Sequence, residues 1–290
     1  MLSGEGQPSE SAPDVITPGV TVPPGVIVAG MHRSGTSMVT SVLVACGWQT
    51  HGSLLPADPG NRRGYFEDGR IHNLHKNLLE SYQTTWDDGP RLRELRTSSL
   101  SLAPYEQTVN NVVAAFRANG PWIWNNPRAT LFLEAWSERF PEAQFVICVR
   151  SPGAVVDSVW RRGSRLGIKA AMPFYRSRRT ARGLSLWHSY NLMAYRFARS
   201  HPDRVAIVRI PRDLDRLVAA TPTPFVDPSL MEHKARLRLR LFSVLAVRSH
   251  LLYWRLCRLH DARRLDEVLS GPGTPATPSH RDAAVLDPAT

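Results

Sequence analysis

The chain has 290 residues, 42% of them hydrophobic, and 36 Lys plus Arg against 25 Asp plus Glu give a formal net charge of +11. That length holds one large α/β domain or two small ones, and the basic balance favours polyanionic partners. Cys46, Cys148 and Cys257 lie far apart with no C-x-x-C pair, which argues against a disulfide framework or a zinc site, and no apolar run reaches the roughly 18–20 residues of a membrane span.

Residues 1–24 are rich in Pro, Ser, Gly and Glu and read as a disordered leader. They lack the basic and apolar regions of a signal peptide, so a cytoplasmic location is expected. The folded part is expected over 25–269, with a disordered tail at 270–290. It opens with GVIVAG, a short apolar run suited to a buried parallel strand, then the loop MHRSGTS, then a helical pattern that ends at Gly47. After a loop with Pro56, Pro59 and Gly60, a helix is expected from Asp68, because Ile71, Leu74, Leu78 and Leu79 share a face. TTWDDGP reads as a turn, and 103–118 as a helix carrying Val109, Val112, Val113 and Phe116.

WIWNNPRATLFLEAWSERF reads as strand, loop and helix. QFVICV is a buried strand ending at Arg150, and Pro152 opens the next helix. A basic connector, 161–182, leads to a helix over 184–199, and RVAIVRI is a further strand. The segment 231–269 has a helical pattern rich in Leu and Arg, read as a helix pair that closes the domain. Strands alternating with helices predict an α/β fold of three layers, with a central parallel sheet flanked by helices and a helical C-terminal segment.

The stretch GMHRSGTS, residues 30–37, nearly fits the triphosphate loop G-x-x-x-x-G-K-[ST]. Thr36 stands where the lysine belongs, and Arg33 supplies a cation earlier. Backbone amides, the start of a helix and the hydroxyls of Ser34, Thr36 and Ser37 can all hold phosphate oxygens, and a guanidinium can grip two at once. In triphosphatases an acidic residue after a second strand supports magnesium. Here Arg150 ends that strand, a cation that repels magnesium and attracts a second phosphate.

These residues resemble the sulfotransferases that use 3'-phosphoadenosine-5'-phosphosulfate (PAPS). Arg33-Ser34-Gly35-Thr36 is similar to their 5'-phosphosulfate loop, and VRSPGAVVDS, with Arg150, Pro152 and Ser158, to their 3'-phosphate motif. GYFEDGRIHNLHKNLL and WNNPRATLFLEAWSERFPEAQFVICVRSP look like segments of the bacterial members. Two departures stand out. Asn125 replaces a usual lysine, and Ile210-Pro211-Arg212-Asp213-Leu214 replaces a usual Tyr-Glu-Asp-Leu.

The resemblance implies a P-loop-like fold and in-line transfer of a sulfuryl group from PAPS to the hydroxyl of a small-molecule acceptor (natural product, sugar or lipid), with no metal. It implies cofactor contacts from Arg33, Ser34, Gly35, Thr36, Ser37, Arg150, Ser158 and Arg128, and a catalytic set of Arg33, Glu67 and His75. Glu67 is the first choice for the general base, with His72 and His75, one helical turn apart, behind it. Trp86, Trp122, Trp124 and Trp160 are either stacking surfaces for a ring or parts of the core. The rival readings are a P-loop kinase or NTPase, and a non-catalytic basic protein that binds polyanions. Nucleic acid is not expected as a partner. Membrane-surface contact through the basic C-terminal helix and a homodimer stay open.

Overall fold

The computed structural model describes residues 24–57, 64–95, 100–164, 173–220 and 244–272. The expected leader, save Pro24, most of the tail, and 231–243 lie outside the described residues.

Four strands form one sheet in the order β2-β1-β3-β4: β1 Gly25–Ala29, β2 Trp122–Asn125, β3 Gln144–Arg150 and β4 Val205–Ile210. All three pairings are parallel, with Ile27 opposite both Trp124 and Phe145, and Ile147 opposite Ile207. A parallel strand is covered on both faces, so its sequence runs apolar without alternation, and GVIVA and QFVICV do so.

Alternate residues of each strand enter two separate cores. Ile27, Ala29, Phe145, Ile147, Val149, Val205 and Ile207 face one. There they meet helices α2 (Gly69–Ser81), α4 (Glu106–Arg117), α5 (Leu133–Arg139), α7 (Pro173–Ser200) and α9 (Val244–Arg258). Val26, Val28, Val146, Cys148, Ala206 and Val208 face the other. These pack on α1 (Thr36–Ala45), α8 (Leu214–Ala219) and α10 (Ala262–Leu269). The result is the expected three-layer α/β fold, closed by the C-terminal helix pair.

Local signals explain the helix starts. Asp68 caps α2 by accepting from the Arg70 and Ile71 amides, and Asp261 caps α10 through the Arg263 amide. Three expectations need adjusting. A short α3 (Gly89–Leu95) follows the TTWDDGP turn, and the helix expected over 103–118 begins as a 3-10 turn, Ala103–Tyr105. The described ends of the basic connector are helical, because α6 spans Pro152–Ser164 and α7 starts at Pro173 and runs 28 residues, while 165–172 lie outside the described residues.

Candidate active site

The sheet order places the site. The chain leaves β1 toward β2 on one side and leaves β3 toward β4 on the other, so a crevice opens at the carboxyl ends of β1 and β3. The loop after β1 and the turn after β3 both sit there. Gly30 has φ +142°, and a Cβ on it would stand 2.5 Å from the Cys148 carbonyl oxygen, so only glycine lets β1 turn this close to β3. Arg33 is also left-handed at φ +71°, a strained setting for a residue with a Cβ, and Gly35 follows at φ +97° immediately before α1. The first amides of α1 have no carbonyl partner within their own helix and offer the positive end of its dipole.

The two expected anion motifs meet. Arg33 Nε donates to Ser158 Oγ at 3.0 Å, and Arg150 Nη1 donates to the Arg33 carbonyl at 3.3 Å. Trp187 Nε1, from α7, holds the Arg150 carbonyl at 3.1 Å. The two motifs therefore adjoin. Burial, and next the nearby Arg161 charge, push the Arg150 guanidinium below the ordinary arginine value, with Asp157 opposing. Concentrated positive charge of this kind is relieved by a bound anion. Ser34 fits the same demand: its hydroxyl is fully buried and has no hydrogen-bond partner among the described residues. A phosphate or sulfate oxygen in the loop would satisfy it.

A second group lies beside the loop. The Gly30 amide donates to Thr130 Oγ1 at 2.8 Å, which ties the loop to the 3-10 turn Pro127–Leu131. Asn126 caps that turn through the Arg128 amide and also donates its Nδ2 to Glu67 Oε2 at 2.8 Å. Glu67 Oε2 lies 3.2 Å from His72 Nδ1, and the same nitrogen lies 3.3 Å from Arg128 Nη1. One ring nitrogen either donates to the carboxylate or accepts from the guanidinium, so Glu67 and Arg128 compete for His72. Asp68 caps α2, whereas Glu67, one residue earlier and following the left-handed Phe66 at φ +54°, meets Asn126 and His72.

His75 is a correction. It is fully buried between Phe132, Trp124 and Trp136, accepts from Trp136 Nε1 at 2.8 Å, and stacks on Phe132 at 5.4 Å. Burial, reinforced by the Arg128 charge, pushes its pKa down to about 3. It is a neutral core residue with no face on the crevice. As pH falls below the ordinary value of 6.5, the unfolded chain takes up this proton first, so His75's contribution to stability is complete above 6.5 and is lost toward about 3. Denaturant unfolding across that range should show a shallower decline for His75→Gln than for the wild type. Equal slopes would contradict the burial argument. His75→Ala should cost about 3 kcal/mol, since it opens a cavity and strips the Trp136 N–H of its acceptor.

Trp122 and Trp124 are core residues, while Trp160 packs against the small cluster of Val156, Leu184 and Ala246. Trp86 packs on the loop's His32, with ring centroids 4.2 Å apart, and its carbonyl accepts from Tyr190 Oη. Asn125 is fully buried and donates to the Tyr65 and Phe66 carbonyls at 2.8 and 3.1 Å, so the residue in the lysine's place fixes the segment that carries Glu67. In the other departure, Asp213 accepts from the Arg209 amide at 2.7 Å and from its guanidinium. It closes the turn after β4. Sequence reasoning assigned no role to Asn126 or Thr130; a polar pair between a strand and a proline, NNP, was the available signal.

The chain matches the family described as "Sulfotransferase family" over residues 24–211. Among solved structures it is similar to the sulfotransferase domain of the Synechococcus PCC 7002 olefin synthase, with 18% identity, 83% of this chain and 97% of that one covered, and a TM-score of 0.41. For the sulfotransferase domain from the curacin biosynthetic pathway the values are 15%, 83%, 99% and 0.41. For the sulfotransferase STF1 of Mycobacterium tuberculosis H37Rv they are 13%, 87%, 72% and 0.37. No curated protein matches. With the match spanning the β1 loop, the β3 turn and all four strands, the chain belongs to the sulfotransferase family.

Proposed function

We propose that the protein moves a sulfuryl group from PAPS to the hydroxyl of a small-molecule acceptor, without a metal. The observation that carries this reading is the junction of Arg33, Ser158 and Arg150 at the switch point, which suits a nucleotide with two anionic ends. The bound donor would supply an activated sulfuryl group and a stable leaving phosphate. Arg33, Ser34, the Gly35 and Thr36 amides, and Ser37 would hold that phosphate and neutralise the charge that grows on it.

Arg150 and Ser158 would hold the 3'-phosphate. Ser158 Oγ already accepts from Arg33, so its own proton is available to donate. Arg128, on the other side of His72, would orient the acceptor or the sulfuryl oxygens. Glu67 would take the acceptor's proton, its carboxylate kept in place by Asn126 and His72.

The test is transfer of labelled sulfate from PAPS to a panel of hydroxyl acceptors with EDTA present. The reading expects a sulfated product and stoichiometric adenosine-3',5'-bisphosphate. Phosphate transfer from magnesium-ATP, with none from PAPS, would replace it with the kinase reading.

A further inference from the structure

Among the described residues, five large hydrophobic side chains are exposed, and four of them lie on α9: Val244 at 72%, Val247 at 41%, Leu251 at 55% and Trp254 at 57%. Their spacing of three, four and three residues puts them on one stripe. The opposite face, with Ala246, Ser249, Leu252 and Leu256, is buried against the domain. At 3.6 residues per turn, the four apolar residues and the exposed Arg248, Arg255 and Arg258 fall within an arc of about 120°. Arg248 and Arg255 thus flank one edge of the apolar stripe, Arg258 continues it beyond Trp254, and the whole arc faces away from the fold. Residues 233–260 contain no Asp or Glu and seven Lys or Arg, four of these in 233–243.

We propose that this face of α9 docks on an anionic phospholipid surface. The charge selects the partner. An isologous contact with a second copy would set Arg248, Arg255 and Arg258 against their own equivalents, with no carboxylate on the helix to pair them. A negatively charged lipid interface supplies the opposite sign along the whole face. It also accepts the shape: Val244, Val247 and Leu251 enter the acyl boundary, the amphipathic indole of Trp254 sits at headgroup level, and long arginine stems reach back to phosphates. None of the described helices is long and apolar enough to cross a membrane, so the contact lies along the surface.

Co-sedimentation of the full chain with phosphatidylcholine vesicles, with and without phosphatidylserine, tests this. Wild type should pellet only with the mixed vesicles. Leu251→Ser with Trp254→Ser, which leaves the charge unchanged, should lose at least about tenfold in partition, and so should Arg248→Gln with Arg255→Gln and Arg258→Gln. Brominated lipids guard against misfolded variants. They should quench wild-type tryptophan fluorescence but leave Trp254→Phe, which keeps the apolar face, almost unquenched. Binding by the Leu251/Trp254 variant at wild-type strength would reduce the effect to diffuse attraction by a basic protein and overturn the proposal. So would an absence of binding, or a wild-type dimer that the same variant splits, which would make a second copy the occupant.

Discussion

Replacing Arg150 by Ala is expected to weaken binding of adenosine-3',5'-bisphosphate about a hundredfold, roughly 3 kcal/mol, while the free protein melts at or above the wild-type temperature. The two effects share one cause. Arg150 is largely buried near the Arg161 charge, a costly arrangement that Asp157 offsets in part and a bound anion would offset further. Its removal relieves the ligand-free protein and cripples the complex. Arg33→Ala should act differently. It should weaken the bisphosphate about tenfold but lower kcat by a further factor of about 10² to 10³, because charge on the leaving phosphate is greatest in the transition state. Calorimetric titration and steady-state kinetics on the two variants check this. Equal losses in both parameters for both residues would mean that they form one undifferentiated anion site.

Glu67→Gln should lower kcat about 10² to 10⁴-fold and leave bisphosphate affinity nearly unchanged. Glutamine keeps an acceptor for the Asn126 amide at 2.8 Å, so the local structure should survive and the loss reports proton transfer. A kcat within about threefold of wild type would remove Glu67 as the base and direct attention to His72, its immediate neighbour at 3.2 Å.

The half of the candidate site proposed to bind anions was legible because it is local. Glycine spacing, a short apolar strand before the loop and Pro152 after Arg150 announce two strand-to-helix junctions without reference to the rest of the chain. That the junctions touch follows from β1 and β3 being neighbours at the switch point, which strand count alone does not give.

His75 was misplaced for a reason the sequence contained. Ile71, Leu74, His75 and Leu78 are spaced i, i+3, i+4, i+7, so His75 fills a slot in the buried stripe of α2, while His72 lies off it. The support for Glu67 was not legible. Asn126 is 59 residues away, and nothing in either segment names the other. The early part of α7 was read as a connector because its sequence, PFYRSRRTARG, is basic and lacks an apolar stripe.

The proposed transfer requires one nucleotide to bridge the β1 loop and the β3 tip. Wild-type protein titrated in EDTA with adenosine-3',5'-bisphosphate and, separately, with adenosine 5'-monophosphate isolates the second phosphate. Binding of the bisphosphate about a hundredfold tighter, with that advantage erased by Arg150→Ala, is the predicted result. Equal affinity for the two nucleotides, or a preference that survives Arg150→Ala, would contradict it.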